Sequence, residues 1–321
     1  MTSPDPTQTE FGLIAWIRDK ARGGERVAAG IGDDCAGLRL TPGAEVLVTT
    51  DMLMDGRHFI LKDSSPEEVG YKAMAVNLSD VAAMAGIPVA AFVSVALPRG
   101  SAVEVGQGLI AGMMPLADRF GVALAGGDTN AWDGPLVVSV TVVGEATGRG
   151  PVRRSGAQPG DAILVTGALG GSLRGRHLRP EPRVAEALAL HERAPLRAMI
   201  DISDGLASDL GHILEESGNL GATLIADRVP IHQDAHTRAR RTSRPSLDHA
   251  LNDGEDFELC FTLDPEAAEA LMAEPPPGVA LSRIGTVEES PGLRLLRPDG
   301  KVVDLAAKGF DHFADAEAPA F

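Results

Sequence analysis

The alternation of apolar and polar positions predicts helices and strands that follow one another along the chain. Apolar residues recur at helical spacing from Glu10 to Arg22 and again from Val103 to Phe120. Short runs of branched apolar residues lie between these segments and are typical of buried strands. Strands that alternate with helices favour an α/β layer arrangement, and the predicted strands are 45–50, 90–97, 122–125, 136–143 and 162–166.

The stretch from Ser65 to Met84 carries the clearest helix signal. Ser65 is suited to cap the helix, a proline follows it, and Glu68 stands three residues after the cap. Asn77 and Asp80 share one face of this helix with small and apolar residues. A carboxylate on such a face is costly unless it is paired or bound to a cation, so Asp80 is a candidate ligand.

A Gly- and Pro-rich stretch near the middle of the chain predicts a boundary between two domains, 1–148 and 149–321. The same stretch carries Arg149, Arg153 and Arg154 in an otherwise acidic protein. These arginines are either exposed linker charges or a guanidinium clamp on a phosphate group.

Composition limits the classes of function that the chain can have. Its 321 residues suffice for two domains with buried cores, and its net charge of −16 disfavours nucleic acid and anionic membranes as partners. Cys35 and Cys260 are too few for a disulfide framework or a zinc site, so we expect two buried free thiols. Neither a signal peptide nor an apolar run of about 18 residues is present, which predicts a cytoplasmic protein with no membrane partner.

Five clusters set carboxylates beside hydroxyls, glycines or other small residues. Carboxylates and hydroxyls are hard oxygen ligands, which suit Mg²⁺ better than zinc or copper. Any one cluster could be an ordinary turn or cap; Ser203 or Asp204, for example, is placed to cap the helix that follows. Five in one chain are harder to explain in this way, and they occupy 30–36, 49–58, 77–80, 126–130 and 201–205.

The familiar catalytic motifs are missing from the sequence. It contains no phosphate-binding loop of the form GxxxxGK[ST], and Gly30-x-Gly32 lacks the third glycine of a dinucleotide fingerprint. It also contains no HExxH zinc motif and no nucleophile elbow. Hydrolysis by a serine or zinc mechanism is therefore disfavoured.

Eight motifs follow one another between residues 10 and 313: GIGDDCA, TTDMLMDGRHF, KAMAVNLSDVAAMAG, GGDTN, RSGAQPGD, DISDGLASDLGHI, DGEDFELCF and KGFDHF. In number, length and order they resemble the thiamine-monophosphate kinase family, within the aminoimidazole ribonucleotide synthetase and selenophosphate synthetase superfamily. The resemblance implies a two-domain α/β (α+β) fold with mixed sheets flanked by helices. It also implies Mg²⁺-dependent direct transfer of the ATP γ-phosphoryl group to thiamine monophosphate, giving thiamine diphosphate and ADP. The implied assembly is a homodimer through an ATP- and metal-binding N-terminal domain, with a C-terminal domain that closes the active-site cleft.

The resemblance further implies roles for individual residues. The positions that match substrate contacts are His58, Glu255 and Phe310. The positions that match ATP contacts are Gly127, Asp128, Arg154 and Ser203. The positions that match metal ligands are Asp34, Thr49, Thr50, Asp51, Asp80, Asp128, Asp201 and Asp204.

Two stretches depart from the family pattern. After Gly171 the chain runs almost at once into 176–183, where many relatives carry a helix and a loop. Asn252-Asp-Gly-Glu255 replaces the more usual small-Gly-Gly-Glu. Two alternatives stay open: another ATP-dependent member of the superfamily, of the aminoimidazole ribonucleotide synthetase or hydrogenase-maturation type, or a nucleotide sensor without turnover. A sensor would keep the ATP-side residues and lose the acceptor side, whereas this chain has both.

Overall fold

The structure is a computed structural model that describes residues 9–21 and 23–306. Contacts within the chain divide it into two compact units. Within the described ranges, the first unit runs as far as Val81 and resumes from Gly86 to Gly148, and the second holds Ala82–Ala85 and the chain from residue 149 to residue 306. Among the described residues, no helix is both long and apolar enough to cross a membrane.

In the part of the chain that the structure describes, the first unit contains a four-stranded mixed sheet and three α-helices. Its elements are α1 (Glu10–Lys20), β1 (Val27–Ala29), β2 (Gly37–Leu38), β3 (Val46–Met54), α2 (Pro66–Ala83), β4 (Gly86–Pro98), α3 (Ala102–Phe120), β5 (Ala123–Trp132) and β6 (Val137–Ala146). The strand order is β3-β6-β4-β5, in which β4 and β5 are parallel and the other two pairs are antiparallel. Strands β1 and β2 form a separate antiparallel pair.

Helices α2 and α3 are in direct backbone contact. A Cβ atom built on Gly70 would lie 2.0 Å from the carbonyl oxygen of Leu109, and one built on Gly112 would lie 1.9 Å from that of Glu67. The predicted capping box starts α2: the Ser65 N–H donates to the Glu68 carboxylate (3.0 Å), and the Glu68 N–H donates to Ser65 Oγ (3.2 Å). The capping box thus fixes where α2 starts, and the two glycines allow α2 and α3 to pack closely.

The second unit contains a seven-stranded mixed sheet with helices. Its elements are β7 (Ala162–Thr166), α4 (Val184–Arg193), β8 (Ala198–Asp201), α5 (Leu206–Glu216), β9 (Gly221–Ile225), α6 (Gln233–Ala239), α7 (Ser246–Asn252), β10 (Leu259–Leu263), α8 (Pro265–Ala273), β11 (Leu281–Glu288), β12 (Gly292–Leu296) and β13 (Val302–Asp304). The strand order is β13-β12-β9-β11-β7-β10-β8, and only β9 and β12 are parallel. The predicted fold class, mixed sheets flanked by helices, is confirmed.

Buried aliphatic side chains form the core of the second unit. Strands β7, β8 and β10 are buried along their whole length. Leu206, Leu210 and Ile213 lie on one face of α5 and are fully buried in the same cluster, as the helical spacing predicts. This core carries the C-terminal ends of β7 and β8, where the polar residues of the second unit collect.

Several predicted boundaries and one burial prediction differ from the structure. Helix α1 ends at Lys20, and Arg22 lies outside the described residues. Strands β3 and β5 extend beyond their predicted ends, so the polar stretches expected to follow them belong to the strands themselves. Both are edge strands of the sheet, where exposed polar residues are tolerated. Cys260 is buried as predicted, but Cys35 is exposed because its loop lies at the surface.

Candidate active site

A pocket of about 500 Å³ lies in the first unit, between the loop at residues 30–36, strands β4 and β5, and helices α1 and α3. Its polar lining includes Asp34, Gly127 and Asp128, which the sequence assigned to metal and ATP. The rest of the lining is largely apolar, from side chains such as Leu13 and Leu109. The structure therefore brings Asp34 together with Gly127 and Asp128, which come more than ninety positions later in the sequence.

Asp128 is held at the pocket by an unusually close approach of two strands. A Cβ atom on Gly127 would lie 1.9 Å from the carbonyl oxygen of Val93 on β4, so only glycine fits there. Asp128 follows on β5 opposite Ser94, and its carboxylate accepts a hydrogen bond from Asn130 Nδ2 (2.9 Å). The side chain of Asp128 is exposed.

A second group of predicted ligands lies on β3 and α2. Thr49 and Asp51 point to the same side of β3, because residues two apart in a strand share a face. The Thr49 hydroxyl donates to the carboxylate of Asp80 on α2. Thr50 points to the opposite face, where its hydroxyl accepts a hydrogen bond from Thr141 Oγ1 (2.9 Å). The structure thus joins the Thr49 and Asp80 side chains and separates that of Thr50 from them.

His58 lies in the turn after β3 and is fixed through both its ring and its backbone. Its Nδ1 accepts a hydrogen bond from the Met54 N–H (3.0 Å), so the proton of the neutral ring is on Nε2. Its carbonyl oxygen accepts one from Lys72 Nζ (2.8 Å), and Lys72 is fully buried. A buried lysine therefore holds the backbone of this predicted substrate contact.

The acidic residues of the second unit gather where β8 ends and α5 begins. Asp201 is buried at the end of β8, and carboxylate oxygens of Asp204 and Asp209 lie within 4.8 Å of each other and of a His212 ring nitrogen. Burial, followed by the charges of Asp201 and Asp204, raises the pKa of Asp209 to about 8. Sequence reasoning missed Asp209 and His212. Asp209 could have been found as Asp80 was, because it lies among the apolar residues of its helix.

The expected cap of α5 is wrong. Gly205 is the N-cap residue, and neither Ser203 nor Asp204 caps the helix through its side chain. The Asp209 carboxylate instead accepts a hydrogen bond from the Asp204 N–H (3.0 Å). A carboxylate inside the first turn can thus satisfy a backbone amide that precedes the helix.

Glu255 belongs to a loop that runs beside this acidic turn. The Glu255 N–H donates to the carbonyl of Ser203 (2.7 Å), and the Phe257 N–H donates to that of Ile202 (2.8 Å). Glu255 lines a second pocket, of about 250 Å³, together with Arg176, Arg179, Arg183, His232, Asp256 and Glu258. The structure thereby brings a predicted substrate contact next to the predicted ATP contact Ser203.

Arg154 is exposed in the linker that opens the second unit. The amides of Gly156 and Ala157 both donate to Ser217 Oγ (3.1 Å each), which fixes the backbone just after it. The predicted contact of Arg154 with ATP stays a prediction. Phe310 lies outside the described residues.

Comparison with known proteins places the chain in a family. The model of the AIR synthase related protein N-terminal domain matches residues 32–146, and that of the C-terminal domain matches residues 158–297. The thiamine-monophosphate kinase of Rhodopirellula baltica is 41% identical over 310 residues, which are 94% of this chain and 97% of the relative. The chain belongs to the thiamine-monophosphate kinase family. The enzyme of Escherichia coli K12 is 38% identical, over 95% of this chain and 98% of its own.

Solved structures agree with this family. The thiamine-monophosphate kinase of Stenotrophomonas maltophilia K279a is 35% identical, with a TM-score of 0.77, and covers 92% of this chain and 98% of its own. AaThiL in complex with AMPPCP and TMP is 29% identical, with a TM-score of 0.74, and covers 98% of this chain and 100% of its own. The hydrogenase maturation protein HypE of Escherichia coli is 20% identical with a TM-score of 0.75, which shows the shared fold alone. The predicted family and enzyme class are confirmed.

Proposed function

We propose that this protein transfers the γ-phosphoryl group of ATP to thiamine monophosphate, giving thiamine diphosphate and ADP. The observation that carries the proposal is identity with thiamine-monophosphate kinases over nearly the whole chain. The complex of AaThiL with AMPPCP and TMP supports ATP and thiamine monophosphate as the substrate pair. Predicted residues for both substrates are present, Asp128 and Arg154 on the ATP side and His58 and Glu255 on the acceptor side.

Mg²⁺ is the proposed cofactor, and the donor atoms present fit it. Asp34 and Asp128 line one pocket, and the carboxylates of Asp204 and Asp209 lie within 4.8 Å of each other. These oxygen donors are the kind that Mg²⁺ prefers. Burial and neighbouring carboxylates raise the pKa of Asp209, so a cation would relieve a local excess of negative charge. When bound, Mg²⁺ supplies the positive charge that allows two phosphate-bearing substrates to approach each other.

The other predicted site residues would bind and orient the two substrates. Asp34, Gly127 and Asp128 would bind the nucleotide. Gly127 has no side chain, so its backbone could approach the nucleotide closely. Glu255 would face the cationic thiazolium or the amino group of the acceptor, and His58 would contact the acceptor through its Nε2–H. The acceptor phosphate is already ionised near neutral pH, so no residue has to remove a proton from it. Catalysis would therefore rest on positioning and charge neutralisation.

The direct test is product formation. Purified protein is incubated with ATP, Mg²⁺ and thiamine monophosphate, and thiamine diphosphate and ADP are separated by chromatography. Equal amounts of the two products are expected, with little ADP formed when free thiamine replaces the monophosphate. ATP binding without thiamine diphosphate would favour the nucleotide sensor, and equal turnover of free thiamine would reject the proposed acceptor.

Arg154 is proposed to bind a phosphate group of ATP. Arg154→Ala should weaken the use of ATP by about 1–3 kcal/mol, the range for a hydrogen bond to a charged group. Arg154→Lys should recover only part of this loss, because an ammonium group cannot make the paired contact of a guanidinium. The KM for ATP measures the effect, and Arg241→Ala, which removes another exposed arginine of the second unit, is the control. Unchanged kinetics in Arg154→Ala would make Arg154 a simple linker charge.

We also propose that two copies associate through the sheet of the first unit. Val46, Val48 and Met52 leave 48%, 64% and 55% of their surface exposed on one face of β3, which is more apolar surface than a single edge strand normally presents. Val48→Asp should therefore convert a dimer into a monomer in sedimentation experiments. Phe11→Asp changes another exposed apolar residue, on α1, and should leave the assembly intact. A monomeric parent protein would contradict the proposal.

A further inference from the structure

The residues around Glu255 adopt a backbone conformation that must be held in place. Glu255 and Phe257 have φ angles of 55° and 51°, in the left-handed region that residues other than glycine rarely occupy. Such a conformation persists only where its surroundings impose it, and it is common at functional sites. Between and after these two residues stand the buried carboxylates of Asp256 and Glu258. We refer to residues 253–258 as the carboxylate loop.

Arg183 binds the second of these carboxylates with two nitrogens of its guanidinium. Its Nε lies 2.8 Å from Glu258 Oε2, and its Nη2 lies 2.6 Å from Glu258 Oε1. The Thr166 hydroxyl at the end of β7 also donates to Glu258 Oε2 (2.6 Å). The Glu258 side chain is only 6% exposed, and a paired contact of this kind fixes orientation as well as distance.

Arg176 and Gly170 bind the other carboxylate. The Gly170 N–H donates to Asp256 Oδ2 (2.7 Å), and Arg176 Nη2 donates to Asp256 Oδ1 (3.0 Å). The Asp256 side chain is 1% exposed, and burial raises its pKa to about 7 even though Arg176 and the Gly170 amide favour the ionised form. Loss of Arg176 would leave this buried group without its nearest positive charge.

These contacts join the stretch after Gly171, which departs from the family pattern, to the carboxylate loop. Residues 170–183, here called the clamp segment, supply Gly170, Arg176 and Arg183. The Ser172 hydroxyl also donates to the carbonyl of Gly254 (2.7 Å), and the Gly171 N–H donates to Asp253 Oδ2 (3.3 Å). Instead of a long helix, the clamp segment forms two short 3-10 turns, at Ser172–Arg174 and Arg176–Leu178. The clamp segment thus places Arg176 and Arg183 against the carboxylates of the carboxylate loop.

We propose that Arg176 and Arg183 are positioning residues for thiamine monophosphate. By binding Asp256 and Glu258, they fix the left-handed residue Glu255, which directly precedes Asp256, in the orientation that meets the thiamine part of the substrate. This inference rests on the proposed function, because it requires that Glu255 contacts the acceptor. The arginines themselves act through Glu255 and leave the nucleotide side unaffected.

The test compares the KM for thiamine monophosphate with the KM for ATP. In Arg183→Gln and Arg176→Gln, the KM for thiamine monophosphate should rise roughly ten-fold, as expected for a displaced contact group, while the KM for ATP stays within about two-fold. Arg183→Lys should fall between the parent and Arg183→Gln. Because Arg183→Gln leaves Glu258 buried without its charge partner, the double variant Arg183→Gln with Glu258→Gln removes both charges and should show the same selective rise. Combining Arg183→Gln with Glu255→Gln should add little to the effect of Glu255→Gln alone.

Arg197→Gln is the matched control. Arg197 pairs with the fully buried Asp161 just before β7, whereas Thr166 and the clamp contacts lie at the other end of that strand. This variant should lower the melting temperature without changing the KM for thiamine monophosphate. Equal changes in both KM values, no change in either, or the same selective rise in Arg197→Gln would overturn the positioning role. An inactive parent protein would instead overturn the proposed function, and the role with it.

Discussion

Asp128→Asn and Asp204→Asn should each lower the rate of phosphoryl transfer by about 100-fold to 1,000-fold, the range for removal of one group that stabilises a transition state. Asparagine keeps the shape of the side chain but removes the anionic oxygen that a cation requires. The initial rate of thiamine diphosphate formation at saturating substrates measures the effect. Asp19→Asn, whose side chain is 78% exposed on α1, should leave the rate unchanged.

The same variants should lose the stabilisation that metal provides. A ligand that binds only the folded protein stabilises it by about 2.7 kcal/mol at a hundred-fold excess over its Kd. Mg²⁺ with a non-hydrolysable ATP analogue should therefore raise the melting temperature more than the analogue alone, and Asp128→Asn should lose most of that difference. Without metal, Asp204→Asn should melt higher than the parent, because it relieves repulsion with Asp201 and Asp209. Should Asp19→Asn and Asp128→Asn respond alike to metal, the acidic clusters would be ordinary surface.

Gly112→Ala should destabilise the protein by about 3 kcal/mol, the upper part of the usual range for overpacking. The added Cβ would lie 1.9 Å from the carbonyl oxygen of Glu67, so α2 and α3 must move apart. Because α2 also carries Asp80, activity should fall with stability. Equilibrium unfolding in urea measures the stability change.

A second helical glycine provides the control for this prediction. A Cβ on Gly211 in α5 would meet nothing within 4 Å, so Gly211→Ala should follow helix propensity and stabilise the protein by about 0.5–1 kcal/mol. The two substitutions are chemically identical and should act in opposite directions. If Gly112→Ala also stabilised the protein, the close packing of α2 and α3 would be wrong.

Sequence reasoning succeeded where one local interaction decides the structure. The capping box at Ser65 and Glu68 fixed the start of α2, and the apolar spacing in α5 identified its buried face. Sequence reasoning failed where pairing with a strand distant in sequence decides how far a strand extends. Asp51 and Asp128 lie inside β3 and β5 because β6 and β4 supply hydrogen-bond partners that a polar local sequence does not reveal.

The candidate site shows the same limit. Clusters of carboxylates and glycines are local and could be recognised, so Asp34 and Asp128 were predicted, and they line one pocket. Asp209 was missed although the apolar residues around it in α5 mark it in the same way as those around Asp80 in α2. The ion pair between Arg183 and Glu258 joins residues 75 positions apart, and no spacing rule predicts such a contact.

The contacts between the clamp segment and the carboxylate loop bear on how this sequence can be recombined with those of its relatives. A chimera that took a clamp segment without Arg176 and Arg183 from another family member would leave Asp256 and Glu258 buried without their charge partners. That mismatch leaves unpaired charges in the interior, a far larger penalty than most surface exchanges. A replacement clamp segment therefore has to be matched to the carboxylate loop, although roughly seventy residues of chain separate the two.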